Sequence, residues 1–578
     1  MAQNISEQLV QTLVEAGIKR IYAVTGDSLN EVNDAVRRNS AMKWVHVRHE
    51  ETGAFAAGAE AQLTGLSCCA GSSGPGHVHL INGLYDAHRS GSPVLAIAST
   101  CATKEFGSNF FQETNTLKLF DDCSGYNQIA ATPEQLPRML QAGIQHAVSK
   151  KEVAVIGLPG DLTSMEAVEI PTATQPYLAH PLIRPSDQEL SELAKLLNSH
   201  QKITIFCGIG AKDAHNEIKE LSRLLKATVG YSFRGKMSVQ FDNPNEVGMT
   251  GLLGLPSAFH SMHESDLVLL LGTDFPYTQF IPGKIKIVQV DRKPENLGRR
   301  AKLNLGLCGD IKETLILLLP LLREKTDDSF LKAQLSLYDR VKKKLQTYVE
   351  DHGKQDAIHP EYVAATIDKL AQEDAIFTVD TGMCCVWGAR YIRATGKRMM
   401  LGSFNHGSMA NAMPQSIGAA FACPGRQVVA LCGDGGLSML LGDLATIVQY
   451  KLPVKLILFN NRSLGMVKLE MEVAGLPDNE TDMYNPDFEL VAKAMGMKAV
   501  TVKNPDGVEQ AIKQAFDHEG PVLVNIFTDP NALAMPPKIE IEMIKGYALS
   551  MSKLILGGKM EEVLDMVKSN YKHLGELL

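Results

Sequence analysis

The segment from Val428 to Asn461 constrains the fold of this chain more than any other part of the sequence. Two apolar runs, 428–431 and 454–459, flank a helix-length stretch over 437–450. This pattern predicts a βαβ unit with two parallel strands and a crossover helix. The unit places Asp434 and Asn461 at the carboxyl ends of its strands, the edge at which open α/β sheets bind ligands.

The polar residues and glycines of this unit predict a site for a metal-bound diphosphate. Asp434 and Asn461 each offer an oxygen, and Mg²⁺ is usually held by a few protein oxygens together with phosphates. Gly435 and Gly436 let the backbone approach a diphosphate, and the start of a helix supplies N–H donors. A glycine-rich turn without a ligand has the same local pattern, so the motif alone leaves both interpretations open.

Length and composition limit the class of protein. A chain of 578 residues is too long for one core and predicts three or four domains. The net charge of −8, without a basic run, argues against a nucleic-acid partner. Ten cysteines without a CxxC motif predict free thiols in a reducing, cytoplasmic location. The first residues predict an amphipathic helix rather than a signal peptide, and no apolar run is long enough to span a bilayer.

Alternating strand and helix patterns predict an α/β fold with three doubly wound parallel-sheet domains and a C-terminal amphipathic helical tail. The predicted domains are 1–182, 183–334 and 335–530, followed by the tail at 531–578. The first and third blocks are similar in size and pattern. Strand-like runs in the first two blocks are Ile21–Val24, Ser67–Ala70, Val94–Ala98, Val153–Leu158, Ile203–Cys207, Leu267–Leu271 and Ile285–Val290.

Four stretches carry a resemblance to a known family: RIYAVTGDSLN (20–30), RHEETGAFAAGAEAQLTG (48–65), GSFNHGSMANAMPQ (402–415) and VKLILFNNRSLGM (454–466). The GDG…NN spacing of the βαβ unit also resembles the thiamine diphosphate (ThDP) motif. The chain is thus similar, over nearly its whole length, to the ThDP-dependent pyruvate oxidase family, and closest to its bacterial quinone-reducing members. The resemblance implies a pyrimidine-binding first domain, a FAD-binding second domain, a diphosphate-binding third domain and a membrane-binding tail.

The resemblance implies that Glu50 is the carboxylate at the aminopyrimidine ring of ThDP. From the sequence alone, this glutamate serves equally well at the start of a helix. In the family, a glutamate in an HExxAxxxA context shares a proton with the ring and promotes loss of the thiazolium C2 proton. Here a glycine replaces one alanine of this pattern, and a raised carboxyl pKa would suit the role. Resemblance adds three catalytic candidates: Phe111, Gln112, and Met466, where relatives often carry an aromatic residue.

The resemblance also implies residues that hold ThDP and Mg²⁺. Asp434, Asn461 and the carbonyl of Ser463 would bind the metal. Met409 would hold ThDP in a bent conformation, although the sequence alone favours a core methionine there. The complete predicted ThDP set is Glu50, Gly407, Ser408, Met409, Asp434, Gly435, Gly436, Asn461, Arg462, Ser463, Leu464, Gly465, Met466 and Val467.

Several glycine-bearing pieces of the second block resemble the FAD domain of the pyruvate oxidase and acetohydroxyacid synthase branch. A single GxG motif is weak evidence, and a plain turn explains it equally well. Asp291 closes a strand, where a carboxylate can accept hydrogen bonds from ribose. The predicted FAD set is Gly208, Gly210, Arg234, Thr250, Gly251, Leu252, Leu253, Gly254, Gly272, Thr273, Asp274, Phe275, Pro276, Tyr277, Asp291 and Arg292.

The last residues of the chain predict an amphipathic helix. Its apolar positions are Met560, Val563, Leu564, Val567, Tyr571 and Leu574. Such a helix either docks on its own subunit or lies in a membrane interface, and acidic residues on its polar face weaken attraction to anionic lipid. The resemblance implies a lipid-activated tail that brings the flavin to membrane quinone.

Taken together, the resemblance implies a peripheral enzyme on the inner face of the cell membrane. It would oxidatively decarboxylate pyruvate to acetate and CO₂ and pass electrons through ThDP and FAD to a quinone. Its sites would lie between subunits of a homo-oligomer, a tetramer in such enzymes. Three alternatives stay open: an acetolactate-forming carboligase, a phosphate-dependent oxidase that makes acetyl phosphate, and a catalytically silent scaffold.

Overall fold

Three six-stranded parallel sheets, each built from one continuous part of the chain, form the framework of the computed structural model. The structure describes residues 3–168, 176–350, 357–532, 541–556, 560 and 563–567. The first sheet contains β1 Arg20–Ala23, β2 Lys43–His46, β3 Ser67–Gly71, β4 Val94–Thr100, β5 Tyr126–Ile129 and β6 Val153–Pro159. The second contains β7 Ile203–Cys207, β8 Thr228–Tyr231, β9 Glu246–Met249, β10 Leu267–Leu271, β11 Lys286–Asp291 and β12 Leu305–Cys308. The third contains β13 Ile376–Val379, β14 Met399–Gly402, β15 Val428–Gly433, β16 Val454–Asn460, β17 Lys498–Val502 and β18 Val522–Phe527.

Helices cover both faces of each sheet, as crossover connections between parallel strands require. Around the first sheet lie α1 Ile5–Glu15, α2 Asn30–Arg38, α3 Glu50–Thr64, α4 Pro75–His79, α5 Ile81–Ser90, α6 Thr116–Leu119 and α7 Leu136–Lys150. Around the second lie α8 Asp187–Ser199, α9 His215–Leu225, α10 Lys236–Val239, α11 Pro256–His263 and α12 Ile311–Leu318, followed by α13 Ser329–Glu350. Around the third lie α14 Pro360–Leu370, α15 Met383–Tyr391, α16 Ala412–Ala422, α17 Asp434–Met439, α18 Leu444–Gln449, α19 Gly465–Val473, α20 Phe488–Ala494 and α21 Val508–Asp517, and α22 Ile541–Leu556 follows.

The first and third sheets share one strand order. The first is β2-β1-β3-β4-β6-β5 and the third is β14-β13-β15-β16-β18-β17, so each is 2-1-3-4-6-5 when counted from its own first strand. The second sheet, β12-β11-β10-β7-β8-β9, has the doubly wound order 3-2-1-4-5-6 read from its other edge. The predicted fold class, three doubly wound parallel sheets, is confirmed, and so is the similarity of the first and third blocks.

The sequence explains why the first and third domains pack closely. Helix α3 is rich in alanine and glycine, and most of its residues are buried, because α5 lies on one side and α16 on another. A Cβ on Gly418 of α16 would collide with the Ala56 carbonyl of α3, and a Cβ on Gly83 of α5 would come within 2.5 Å of Ala54 Cβ. Small residues therefore let these helix backbones approach each other.

Two sequence predictions about local structure are wrong. The helix expected over 437–450 begins earlier, at Asp434, and a 3₁₀ turn at Leu441–Asp443 divides it into α17 and α18. The second block has six strands rather than three, because the short strands β8, β9 and β12 carry no extended apolar run. Within the described residues, no helix combines the length and apolar character that crossing a bilayer requires.

Candidate active site

The strand order of the third sheet predicts where a ligand binds. β13 and β15 are neighbours, and the connections that follow them lead to opposite faces, which opens a crevice at their carboxyl ends. The turn 380–382 follows β13, and 434–436 follows β15. A cavity that opens to solvent lies at this point and is lined by residues 381–382, by the start of α17 and by α19.

Most of the predicted ThDP residues meet in this cavity. Those that line it are Met409, Asp434, Gly435, Gly436, Asn461, Ser463, Leu464, Gly465, Met466 and Val467. Arg462 lies beside them, and its backbone N–H donates to Asp434 Oδ2 at 2.7 Å. Ser408 faces the first domain instead, where its Oγ accepts from Asn82 Nδ2 at 2.9 Å, and Gly407 precedes it in the same turn.

Asp434 has the environment of a metal-binding carboxylate. It is the first residue of α17 and is buried, and burial raises its pKa from the ordinary value. Its Oδ2 also accepts from Asn485 Nδ2 at 2.7 Å. After the neighbouring strand β16, Asn461 Oδ1 accepts from the backbone N–H of Ser463 at 3.1 Å. Asp434, Asn461 and Ser463 line the same cavity, and carboxylate, amide and carbonyl oxygens are the ligands that Mg²⁺ prefers.

The backbone around these oxygens suits a diphosphate. A Cβ on Gly436 would collide with Asp380 Oδ2, and one on Gly435 would lie 3.0 Å from Met409 Cε. Asp380 is buried beneath the turn, and burial raises its pKa to about 7. Within the described part of the chain, Asp380 Oδ2 and Ser463 Oγ are buried without a hydrogen-bond partner. A glycine cradle with unpaired buried oxygens fits a metal-bound diphosphate.

Glu50 occupies the first turn of α3, and the adjacent residue His49 is the N-cap, so the capping role belongs to the histidine. The glutamate is 6% exposed. Its Oε2 lies 2.9 Å from His79 Nδ1, and the His79 ring stacks on His49 at 4.4 Å. A Cβ on Gly76 would lie 3.3 Å from Glu50 Oε1, so the turn at Gly74, Pro75 and Gly76 (the GPG turn) adjoins the carboxylate.

The two halves of the predicted site are not brought together within one chain. The residues that line the cavity all come from positions 360–566, and Glu50 is not among them. The first domain instead contacts its own third domain through α3 and α16, and Gln415 Nε2 donates to Asp86 Oδ2 at 3.1 Å. A site that combines Glu50 with Asp434 would thus need a second chain.

Gln112 lies against the GPG turn, and Phe111 precedes it in the chain. Ser73 Oγ donates to Gln112 Oε1 at 3.0 Å, and a Cβ on Gly74 would lie 2.8 Å from Gln112 Cβ. Gln112 has φ of 60°, an uncommon conformation for a residue other than glycine. The Phe111 side chain is 76% exposed, so packing within this chain does not account for it.

The predicted FAD residues all follow the carboxyl ends of strands in the second sheet. They lie after β7 (Gly208, Gly210), β8 (Arg234), β9 (Thr250 to Gly254) and β10 (Gly272 to Tyr277), and at the end of β11 (Asp291, Arg292). Gly210 packs directly on Gly272, since a Cβ there would lie 2.7 Å from Gly272 Cα. Close backbone approach at the β7/β10 switch point thus requires these glycines.

Some of these residues have protein partners. Asp274 forms ion pairs with Arg299 and Arg300, and Arg292 Nη2 donates to the Pro181 carbonyl at 2.8 Å. Asp291 Oδ1 accepts from the Lys293 N–H at 2.8 Å. Thr250 Oγ1, however, is buried without a hydrogen-bond partner within the described residues.

The sequence did not reveal two side chains near the cavity, those of Asn485 and Asp380. Asn485 lies between helices in an irregular segment and bridges Asp434 Oδ2 and Asn460 Oδ1. No spacing rule connects it to the βαβ unit. Asp380 directly follows β13 in the sequence VDTG and was not among the predicted site residues. The apolar strand followed by a buried carboxylate is the signal that could have found it.

Comparison with known proteins agrees with this geometry. Residues 3–119, 190–318 and 380–526 match, in that order, the N-terminal TPP binding domain, the central domain and the C-terminal TPP binding domain of thiamine pyrophosphate enzymes. The chain is 32% identical over 530 residues to a pyruvate oxidase of Lactiplantibacillus plantarum. The aligned region covers 89% of this chain and 87% of that protein.

Two further relatives extend the comparison. The chain is 28% identical over 558 residues to acetolactate synthase 2 of Nicotiana tabacum, covering 92% of this chain and 83% of that protein. It is 48% identical over 344 residues to an uncharacterized protein of Pseudomonas amyloderamosa, covering 59% of this chain and 87% of that protein.

The chain therefore belongs to the thiamine pyrophosphate enzyme family, with its N-terminal, central and C-terminal domains in order. Within that family it is a ThDP-dependent enzyme related to pyruvate oxidase and acetolactate synthase.

Proposed function

We propose that the protein oxidatively decarboxylates pyruvate to acetate and CO₂ and passes the electrons through ThDP and FAD to a membrane quinone. The observation that carries the proposal is the position of the C-terminal segment. Helix α22 packs on α19, the helix that supplies Met466 and Val467 to the cavity, and Met566 itself lies at the cavity.

The third domain supplies the binding groups for this reaction. Asp434, Asn461 and the Ser463 carbonyl would hold Mg²⁺, and Gly435 and Gly436 would admit the diphosphate. When bound, ThDP supplies an electron sink for cleavage of the carbon–carbon bond, and FAD accepts the electron pair. Glu50 of a second chain would hold a proton at the aminopyrimidine nitrogen. The proposal therefore requires a homo-oligomer, with a homotetramer as the expected form.

Features of the central domain support the proposal that it binds a flavin. Its strand order is the one that binds dinucleotides at the switch point, here between β7 and β10. Thr250 Oγ1 and the carboxylate of Asp291 are buried at the ligand-binding end of this sheet. A shared strand order is only an analogy at the level of the fold and does not identify a binding site. The proposal of a flavin therefore depends equally on Thr250 and on the glycines at the crevice.

The C-terminal segment supports contact with a phospholipid surface. Lys553 Nζ donates to the Gly475 carbonyl at 2.8 Å, and a Cβ on Gly546 would collide with the Val473 carbonyl, so α22 lies close to the end of α19. Farther along, Val563 and Met566 are buried, whereas the apolar residues Met560, Leu564 and Val567 are exposed. The predicted positions Tyr571 and Leu574 lie outside the described residues.

Anaerobic mixing with pyruvate tests the redox part of the proposal. We expect the purified protein with ThDP and Mg²⁺ to bleach its flavin absorbance rapidly, because electrons leave the thiamine site for FAD. The measurement is stopped-flow absorbance with product analysis. A flavin that stays oxidised while acetolactate forms would instead establish carboligation, the alternative that the tobacco relative favours. Dependence on phosphate, with acetyl phosphate as product, would establish the phosphate-using oxidase.

Truncation tests the membrane part. We expect a chain that ends at residue 555 to lose liposome binding and lipid activation while it keeps most of α22. Leu564→Asp should weaken liposome binding about 10-fold or more, because burying a leucine is worth roughly 1.5–3 kcal/mol. Leu490→Asp is the matched control, since Leu490 is 63% exposed on α20. The proposal fails if both single variants bind liposomes equally well, or if truncation leaves lipid activation intact.

A further inference from the structure

A short segment of the central domain, Phe233–Lys236, contacts both of the other domains. It contains a 3₁₀ turn, Phe233–Gly235, and the first residue of α10. The Phe233 ring lies 4.4 Å from the Phe404 ring of the third domain. The two cations of the segment, Arg234 and Lys236, both donate to backbone carbonyls at the carboxyl ends of helices.

Lys236 holds the carboxyl end of α15. Its side chain is 2% exposed, and its Nζ donates to the carbonyls of Ala389 and Ile392, each at 2.5 Å. The last carbonyls of a helix have no intrahelical donor and carry the negative end of the helix dipole. A buried ammonium group supplies hydrogen-bond donors to these carbonyls and a positive charge at the negative end of the dipole. Its removal would therefore leave two carbonyls unpaired.

The contact between α15 and the central domain is reciprocal. Arg390, in the last turn of α15, donates from Nε to the Leu253 carbonyl at 3.1 Å and from Nη2 to the Gly254 carbonyl at 3.2 Å. The last turn of α15 is thus fixed by two cations, one from each side of the domain boundary.

The opposite end of α15 forms a wall of the thiamine cavity. Gly382, Met383 and Cys384 line that cavity, and Cys384 Sγ donates to the Asp380 carbonyl at 3.3 Å. A nine-residue helix is about 13 Å long and behaves as a rigid rod. A shift at its carboxyl end therefore reaches its first turn, and a displacement of about 1 Å in an active site can lower the catalytic rate about 100-fold.

The same segment holds a helix of the first domain. Arg234 Nη2 donates to the carbonyl of Ser90, the last residue of α5, at 2.6 Å. In the first turn of α5, Asn82 Nδ2 donates to Glu51 Oε1 at 2.7 Å and to Ser408 Oγ. Two helices, α5 and α15, thus end at this one segment, and each has one of its cations at the carboxyl end.

We propose that Lys236 is a positioning residue for the thiamine site, which it acts on through α15 by fixing the carboxyl end of that helix. The inference rests on the proposed assignment of the cavity to ThDP and Mg²⁺. It makes the central domain a determinant of thiamine affinity, in addition to its proposed role in holding a flavin.

Lys455 provides a matched control. It is 3% exposed, its Nζ also donates to two carbonyls, those of His518 and Gly520, and burial lowers the pKa of both lysines to about 8. Lys455 belongs to the same domain as the cavity, but it lies near the amino end of β16, away from the carboxyl edge where the cavity opens. Replacing Lys455 should lower the stability of the protein about as much as replacing Lys236 does, but should leave α15 in place.

The test compares Lys236→Met with Lys455→Met in the full-length protein. Calorimetry with ThDP and Mg²⁺ measures the Kd, and thermal unfolding measures the Tm. We expect both variants to lower the Tm similarly, but only Lys236→Met to raise the Kd, by about 10-fold or more. Lys236→Gln keeps a neutral donor and should raise the Kd less than Lys236→Met does. If Lys236→Met does not fold, the Gln variant takes its place and should raise the Kd at least about 3-fold.

The possible outcomes separate this inference from the proposed function. Equal Kd changes in the Lys236 and Lys455 variants, or a Kd within about 2-fold of wild type after the Lys236 substitution, overturn the positioning role. A wild-type protein that fails to bind ThDP with Mg²⁺ overturns the assignment of the cavity itself.

Discussion

Replacement of Glu50 by glutamine is expected to lower the rate of C2 proton exchange on bound ThDP, and the turnover with it, by about 10²–10⁴-fold. The buried carboxylate lies at the start of α3 against His79 and the GPG turn, where it can hold a proton at a ring nitrogen. The amide keeps the shape of the side chain but does not ionise, so it cannot take up or release the proton that the ring nitrogen shares. Hydrogen–deuterium exchange at C2, followed by NMR after acid quench, measures this step directly.

The neighbouring glutamate is the control for this substitution. Glu51 belongs to the same helical turn, and its Oε1 accepts from Asn82 Nδ2 at 2.7 Å. Glu51→Gln should leave C2 exchange within about 10-fold of wild type, because no proton transfer is assigned to it. Exchange at the wild-type rate in Glu50→Gln, with the protein folded and ThDP bound, would remove Glu50 from the mechanism.

Replacement of Asp434 by asparagine is expected to weaken the binding of ThDP with Mg²⁺ by about 100-fold or more, roughly 3 kcal/mol. The substitution removes the negative charge that faces the divalent cation in a buried position. It also exchanges an acceptor for a donor opposite Asn485 Nδ2 and the Arg462 N–H. Calorimetric titration of the protein with ThDP at saturating Mg²⁺ measures the loss.

Asp443 is the matched control for Asp434. It lies in the same βαβ crossover, is 1% exposed, and its Oδ1 accepts from the Arg48 N–H and from Thr446 Oγ1. Asp443→Asn should reduce stability but change cofactor affinity little. If the two variants lose affinity equally, general disruption of the crossover explains the effect and the metal assignment is wrong.

The same two substitutions test whether the site is shared between chains. When Glu50→Gln and Asp434→Asn subunits are co-expressed, a mixed dimer would hold one site with both native residues, provided that each site takes Glu50 from one chain and Asp434 from the other. Activity should then return in the mixture although each variant alone is inactive. A mixture as inactive as its components would place both residues of a site in one chain.

The sequence predicted the parts of the fold that periodicity and glycine placement control. The inner strands β10 and β16 are apolar at nearly every position because helices cover both faces, so they stood out as continuous runs. The two edge strands of the third sheet, β14 and β17, are short and contain exposed or half-exposed residues, and no pattern in the sequence separates them from loops. The cavity was predictable because Asp434 and Asn461 follow inner strands.

The rest of the site depends on contacts that local sequence does not encode. Asn485 reaches Asp434 across an irregular segment, so only the folded chain reveals the pair. Arg234 was assigned to FAD from its motif, and the structure gives it a backbone partner in another domain. The sequence shows that Phe233–Lys236 carries two cations, but not that two helices end beside them.

The burial of α3 has a consequence for the making of the protein on the ribosome. Its alanine-rich sides are covered by α5 soon after synthesis, but the partner on the other side, α16, ends about 360 residues later. At about 5–20 residues per second, the uncovered side stays exposed to the cytosol for roughly 20–70 s. In a newly made first domain, the uncovered side of α3 is thus a surface that a chaperone can bind before α16 has been synthesised. The third domain of another nascent chain can bind the same surface.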